Sequence, residues 1–386
     1  MNNTYQTSID IGTGHIAIVG CEIFEGKDIS ISHTSLTPSF GIDRGYIRDI
    51  AQCTEALKVA VKEFERKSKR KLESASFSIG GIGLASQYVR TNIILKKKES
   101  ELSSQDLSDV VGKAETLFSD KYPNKKILHV IPISYKVDGR DVLGSPVGMF
   151  GSSIEAKIIL VTIPEHHFDS LVSVIEAVGI NIEDIVAAPL ADASYSLNND
   201  QRKQGAVLIN IGSETTQVST YEHGILTSLK VIPLGSNDIT NDLALGLQIP
   251  IEEARSVKHG ENNNHPKKRV EEIRNARIID IVESVEQHLK SIRKNRLLPA
   301  GAFWTGSGSL AEGIAELGRS MLRIPSTLVR IEVQDSQKKQ KKFISPKFSI
   351  AYGLCSLDGP DEISESIFSL ASLKKKVRYF ISQLRP

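Results

Sequence analysis

The chain has 386 residues, 40% of them apolar and 24% charged, which suits a globular protein with room for two separately cored domains. Its net charge of +2, from 48 Lys and Arg against 46 Asp and Glu, gives no reason to expect nucleic acid or an acidic partner. Cys21, Cys53 and Cys355 form no pair motif, MNNTYQTSID lacks a signal peptide's apolar core, and no run reaches the roughly 18 apolar residues of a spanning helix, so a reduced, soluble, cytoplasmic chain is expected.

Taken in chain order, YQTSIDIGTGHIAIVGCEIF reads as two short apolar strands around a Gly-Thr-Gly turn. DIAQCTEALKVAVKEFERKSKRK has apolar residues at helical spacing and ends in solvated charge. ESASFSIGGIGLAS is a buried strand. The texture then changes between Ser86 and Pro164. A basic strand end, LKKKES, precedes SSQDLSDVVGKAETLFSD, in which Ser104 and Asp106 open an amphipathic helix. KKILHVIPISYKVDGR and SIEAKIILVTIP follow as strands, and the whole stretch reads as a small inserted subdomain. HHFDSLVSVIEAVGI is a helix; NIEDIVAAPLADASYSL is a strand and then a helix. The triplet Glu165-His166-His167 lacks the spacing of a zinc helix and is expected to cap a helix at the surface. Near the end, QKKQKK (337–342) is read as an exposed turn between strand-like LVRIEV and KFSIAYG.

LINIGSETTQVSTYEHG, from Leu208, echoes the opening hairpin. SIDIGTGHIAIV and LINIGSETTQVS share an apolar strand, Asp or Asn, Ile-Gly, a hydroxyl residue and a return strand. Such a pair predicts a duplicated α/β architecture with a cleft between its halves. Tight glycine turns aim backbone N–H groups into anion-binding concavities, and an adjacent carboxylate can hold a hydrated magnesium ion. One such hairpin is weak evidence. A third element strengthens it: GAFWTGSGSLAEGIAEL places Thr305-Gly306-Ser307-Gly308 between a strand and a helix, where backbone can approach a flat nucleoside.

With these pieces assembled, the chain resembles the bacterial cell-division protein family FtsA, part of the actin-like superfamily. The resemblance runs over nearly the whole length. It rests on IDIGT, the block from LHVIP through Y-x-VDG and PVGM to EAK (128–157), PLADASYSL, VIPLGSNDITNDLALGL, EEARSVKHG and TGSGSLAEG. The 128–157 block is the most diagnostic, because it resembles that family's own inserted subdomain, 1C.

The resemblance implies an actin-like fold of two RNase H-like halves around a nucleotide cleft. Its parts are subdomain 1A at 1–85, the 1C insertion at 86–164, a return to domain 1 at 165–205, and domain 2 at 206–356 with 2B at about 236–300. A linker follows at 357–366 and an amphipathic membrane-targeting helix at 367–386. The implied nucleotide site comprises Asp10, Gly12, Thr13, Gly14 and His15; Asn210, Gly212, Ser213, Thr215 and Thr216; and Gly235, Lys258, Gly306 and Ser307. Asp10 would hold magnesium through water. The second loop departs from the usual D-I-G-G-G-T-T-D. Asn210 and Gln217 replace its aspartates, and Ser213 and Glu214 replace two glycines. Asn210 cannot carry the charge that helps hold hydrated magnesium, and an inward Glu214 would repel phosphate. Arg255 follows Ala254 where the family often has Glu. Ala188 precedes Pro189 where several hydrolytic relatives place an acid. Expected, therefore, is ATP with magnesium bound weakly or not at all, and at most a slow ATPase in what is primarily a scaffold.

The implied partners are the C-terminal tail of the tubulin-like FtsZ, received near Arg277 and Arg274; further copies of the chain in a filament; other division proteins; and the anionic cytoplasmic membrane at the division site. Nucleic acid is not among them. The membrane expectation has an independent basis in IFSLASLKKKVRYFISQLRP. Ile367, Leu370, Leu373, Val377, Phe380 and Leu384 form an apolar stripe flanked by Ile381, while Lys374, Lys375 and Lys376 crowd its edges. Two alternatives stay open: a pilus-assembly-type actin-like scaffold, and a sugar or acid kinase of the same superfamily, which Asn210 disfavours.

Overall fold

A computed structural model describes residues 4–23, 29–95, 99–262, 264–335 and 341–357. The linker beyond Leu357, the whole 367–386 segment, and parts of LKKKES and QKKQKK lie outside the described residues.

The chain opens with β1 (Thr4–Ile11), β2 (His15–Ile23) and β3 (Ile29–Pro38), a meander whose inward faces carry Ile9, Ile16 and Ile18. A small hairpin, β4 (Ile42–Asp43) with β5 (Tyr46–Ile47), leads to α1 (Ile50–Ser68) and β6 (Ser74–Ile79). Asp49 caps α1 by accepting the Gln52 N–H, and Lys69 ends it in the left-handed conformation. The insertion follows: β7 (Ala85–Ile94), β8 (Ser100–Glu101), α2 (Ser104–Lys121), β9 (Lys125–Val137), β10 (Arg140–Val142), β11 (Phe150–Gly151) and β12 (Ser153–Pro164). The N-cap of α2 is Ser103, one residue before the expected Ser104, and it forms a reciprocal capping box with Asp106.

The first half then closes with α3 (Glu165–Val178), β13 (Asn181–Ala187), α4 (Ala188–Ser196) and α5 (Asn199–Gln204). The second half repeats the plan with β14 (Ala206–Ile211), β15 (Thr216–Glu222), β16 (Ile225–Ile232), α6 (Ser236–Leu247), α7 (Ile251–Lys258), α8 (Lys267–Ser291), β17 (Gly301–Thr305), α9 (Ile314–Leu322) and β18 (Ser326–Leu328). Last come β19 (Ile331–Asp335), β20 (Lys341–Ile344) and α10 (Ser349–Leu357).

The duplication is visible in strand order. One sheet runs β13-β6-β1-β2-β3, and its counterpart runs β18-β17-β14-β15-β16; in each, a three-stranded antiparallel meander continues into two parallel strands. Each meander is extended at its third strand, β3 by β19-β20 and β16 by β7-β12-β9-β10. The insertion meets β16 through one backbone bridge, Lys230 to Ala85, and through Tyr88, whose hydroxyl donates to the Thr227 carbonyl at 2.6 Å. It has its own apolar core, including Leu102, Val110, Phe118 and Ile154.

KFSIAYG, expected to be strand-like, instead forms a short 3-10 turn, Pro346–Phe348, and the start of α10. The reason is tertiary. This helix packs on α4 so closely that a Cβ on Gly353 would lie 1.8 Å from the Ala191 carbonyl oxygen. Apolar residues all round it are buried between α4 and the β6-β1-β2 sheet of the first half, so the single-sided pattern of a surface helix is absent.

Candidate functional site

The two glycine hairpins face one another across a cleft. Both close with the same bond, Gly12 N–H to the His15 carbonyl at 3.0 Å and Gly212 N–H to the Thr215 carbonyl at 2.8 Å. They meet tip to tip, so that a Cβ on Gly14 would fall 2.1 Å from Ser213 Oγ. Between them lies a cavity of about 70 Å³ walled by Asp10, Gly12 to His15, Asn210, Gly212, Ser213, Thr215, Gly306 and Ser307. Ala188, Gln217 and Lys347 also face it. It is too small for a nucleoside triphosphate unless the halves part.

Asp10, next to last in β1, lies at the cavity wall and accepts a hydrogen bond from the Ser78 hydroxyl. Burial pushes its carboxyl up to about 6, against the Ser78 bond and with help from the nearby Asp192. Asn210, next to last in β14, holds the matching position. Its Nδ2 donates to Asp192 Oδ2 at 2.6 Å, and Asp192 Oδ1 accepts from Ser196 Oγ at 2.7 Å. Glu214 does not point into the cavity. Its Oε2 accepts the Arg44 backbone N–H at 2.7 Å, across the cleft mouth, and Gly45 N–H donates to Thr13 Oγ1 at 2.9 Å beside it.

His15 lines the cavity with its ring bonded to the Lys347 carbonyl at 3.3 Å. Burial holds this imidazole below its usual range. Three expected site residues stand outside the cavity wall. Thr216 is wholly buried and bonds the Leu234 carbonyl at 2.8 Å. Gly235 packs against the Ser213–Glu214 backbone, where any Cβ would collide at 2.5 Å. Lys258 donates to the Ser236 carbonyl at 3.1 Å, and burial, then Arg255 and Lys347, lower its ammonium to about 8. The α6 N-terminus is occupied by loop backbone, since Ser236 and Asn237 N–H groups donate to the Gly212 and Ser213 carbonyls at 2.9 and 2.7 Å.

His167 corrects an expectation. It is buried, not a surface cap, with Nε2 bonded to the Gly80 carbonyl at 3.0 Å and its ring 4.5 Å from that of Tyr46. It fixes the β6 end of the cleft. Local sequence pattern did not single out Ser78, Asp192 or Lys347. For Asp192 one signal was available, an acid set inside the otherwise small and apolar run PLADASYSL.

The residues present suit a magnesium-nucleotide at the phosphate end. One buried carboxylate and glycine turns with no room for side chains line the cavity together with Gln217 and Ser307, whose buried Oε1 and Oγ have no hydrogen-bond partner among the described residues. Among the described residues no three His, Cys, Asp or Glu cluster to ligate a metal directly.

Arg277 and Arg274 lie on α8, away from this cleft. Arg277 forks onto Asp242 of α6 at 2.6 and 2.9 Å and also reaches Asp280 at 3.2 Å; Arg274 pairs with Glu312 at 3.6 Å.

Duplicated sheets, each with a glycine hairpin turned onto one cleft above a buried carboxylate, define an actin-like protein. Solved structures share this fold. That of a PilM-PilN type IV pilus biogenesis complex matches 92% of this chain and 98% of its own at TM-score 0.66 and 16% identity. MreB5 of Spiroplasma citri bound to ADP matches 97% and 98% at TM-score 0.52 and 12% identity. The insertion narrows the class. A family model described as the SHS2 domain inserted in FTSA matches residues 81–162, and one described as Cell division protein FtsA matches residues 207–353. Proteins named Cell division protein FtsA are similar along most of the length: 28% identical in Bacillus subtilis, over 83% of this chain and 78% of that one, and 24% in Pseudomonas aeruginosa, over 90% and 87%. The chain belongs to the FtsA family of actin-like cell-division proteins.

Proposed function

We propose that this protein is an actin-like scaffold that ties FtsZ filaments to the cytoplasmic membrane at the division site and helps recruit later division proteins. The observation that carries the reading is the α6–α8 face. Arg277, only 25% exposed, stands there in a bidentate pair with Asp242, and Leu245, one turn further along α6, is 78% exposed. An exposed apolar side chain beside a fixed guanidinium suits a short acidic-hydrophobic peptide, with the charge orienting it and the apolar contact supplying affinity. Because Asp242 already occupies Arg277, an arriving carboxylate competes with it. Asp242→Asn should therefore strengthen capture of an FtsZ tail peptide, and Arg277→Gln should weaken it by about tenfold while circular dichroism stays unchanged. Undiminished capture by Arg277→Gln would overturn the assignment.

Self-association is supported by the insertion, which exposes Ile94, Leu143 and Phe150 at its surface. A head-to-tail contact there would propagate as a filament. The basic amphipathic sequence at 367–386 supplies the membrane contact in this reading. Among the described residues no helix is long and apolar enough to cross a bilayer.

In the cleft, Asp10 would hold magnesium through water, the Gly12–Gly14 and Gly212–Thr215 turns would take the phosphates, and Gly306 and Ser307 the nucleoside. Magnesium, when bound, neutralises phosphate charge. Ala188 offers no carboxylate to take a proton from water, and Glu214 is engaged with Arg44, so hydrolysis is slow and nucleotide enters only when that clasp opens.

A further inference from the structure

Asn210 has lost the charge of the usual second-loop carboxylate, yet its surroundings are not those of a neutral site. Asn210 is 5% exposed and Asp192, on α4, is wholly buried. The 2.6 Å bond between them is charge-assisted, and Ser196 at 2.7 Å holds the other Asp192 oxygen. A carboxylate only accepts, so the Asn210 amide must turn its nitrogen to α4 and its oxygen away. That oxygen lies against the adenosine-type turn, where a Cβ on Gly306 would be 2.4 Å from Oδ1. A second donor contact, to Ser349 Oγ at 3.4 Å, keeps the nitrogen on the same side. Asn210 thus presents an acceptor on the cleft side, as an aspartate would, with the Asp192 carboxylate one hydrogen bond behind it.

We propose that Asp192 is a positioning residue for the cation end of the cleft: it holds Asn210 with Oδ1 forward and supplies, from the neighbouring helix, the negative charge that the second loop lacks. This rests on the nucleotide reading above. A charge set back by one hydrogen bond in a poorly hydrated interior still acts on a divalent ion, though less than one at the loop itself. The pair is thus a relocated carboxylate.

The test uses the full chain and titrates ADP and ATP with magnesium and with a chelator, by calorimetry. Asp192→Asn should cut the magnesium-dependent gain in affinity on the order of tenfold while leaving affinity in chelator near wild type. The exchange Asp192→Asn with Asn210→Asp keeps the same two side-chain types in contact but moves the charge forward, and should restore the magnesium dependence or exceed it. Equal losses with and without magnesium, or no rescue by the exchange, would mean a merely structural role and overturn the proposal. Wild-type protein that binds neither nucleotide in either condition would overturn the nucleotide reading itself and this inference with it.

Discussion

Glu214 ties the two halves at the cleft mouth, and replacing it with glycine should tighten nucleotide binding. Its carboxylate accepts the Arg44 N–H at 2.7 Å, joining the second-loop tip to the β4–β5 hairpin of the other half. A hydrogen bond to a charged group is worth about 1.5–3 kcal/mol when sheltered. This one sits at the exposed mouth, so screening reduces it to roughly 0.5–1 kcal/mol. Removing a carboxylate from beside a phosphate-binding turn adds a similar amount through lost repulsion, for a total of roughly 1–2 kcal/mol, or about five- to thirtyfold in affinity. Titration of ATP in the presence of magnesium reads this directly. Glu214→Gln separates the two contributions, because the amide oxygen can still accept from Arg44 while the charge is gone. If the clasp matters more, the glutamine variant stays near wild type and only the glycine variant gains. Affinity unchanged or weakened in Glu214→Gly would refute the reasoning, since neither release of the clasp nor loss of the charge would then have had its effect.

Gly353→Ala should destabilise by about 1–3 kcal/mol or more, because its Cβ meets the Ala191 backbone at 1.8 Å and α10 must move off α4; thermal melting checks it, and an unshifted melt would show that the two helices separate easily. Acid should destabilise the fold from about pH 6.5 downward. Burial holds His129, His167 and His288 at about 4, so the unfolded chain takes up protons that the folded chain refuses as pH falls toward that value. Asp10 and Asp192, raised to about 6, work in the opposite sense below that pH, because their folded carboxyls accept protons before unfolded ones do. Denaturant midpoints compared at about pH 7 and pH 5.5 for wild type and His129→Gln should show a flatter acid limb in the variant; parallel limbs would sink the assignment. Truncation after Ser364 should abolish flotation with anionic liposomes, and Phe380→Glu should nearly do so by placing a charge in the apolar stripe; binding should weaken with salt, and unchanged flotation of the truncated protein would return the segment to a docked, structural role.

Sequence alone determined whatever depended on near neighbours. IDIGTG and LINIGSETT declared matched hairpins because a tight turn needs its glycine within a few residues of its strands, and the structure closes both with the same bond. The break in texture at Ser86 to Pro164 was legible because an insertion with its own core carries its own apolar pattern. What escaped were pairings across the fold. Glu214 was readable as a departure from glycine, but its bond to Arg44 spans 170 positions, and its direction follows from how the halves close. His167 looked like a surface residue because its partner, the Gly80 carbonyl, is 87 positions away. KFSIAYG read as a strand until α4 supplied the surface that buries it on every side. Asn210 shows the division most plainly. The sequence shows that a charge is missing from the loop, and only the packing of α4 beneath β14 brings Asp192 within 2.6 Å, because hydrogen bonds are set by distance in space and the chain between those residues carries no trace of it.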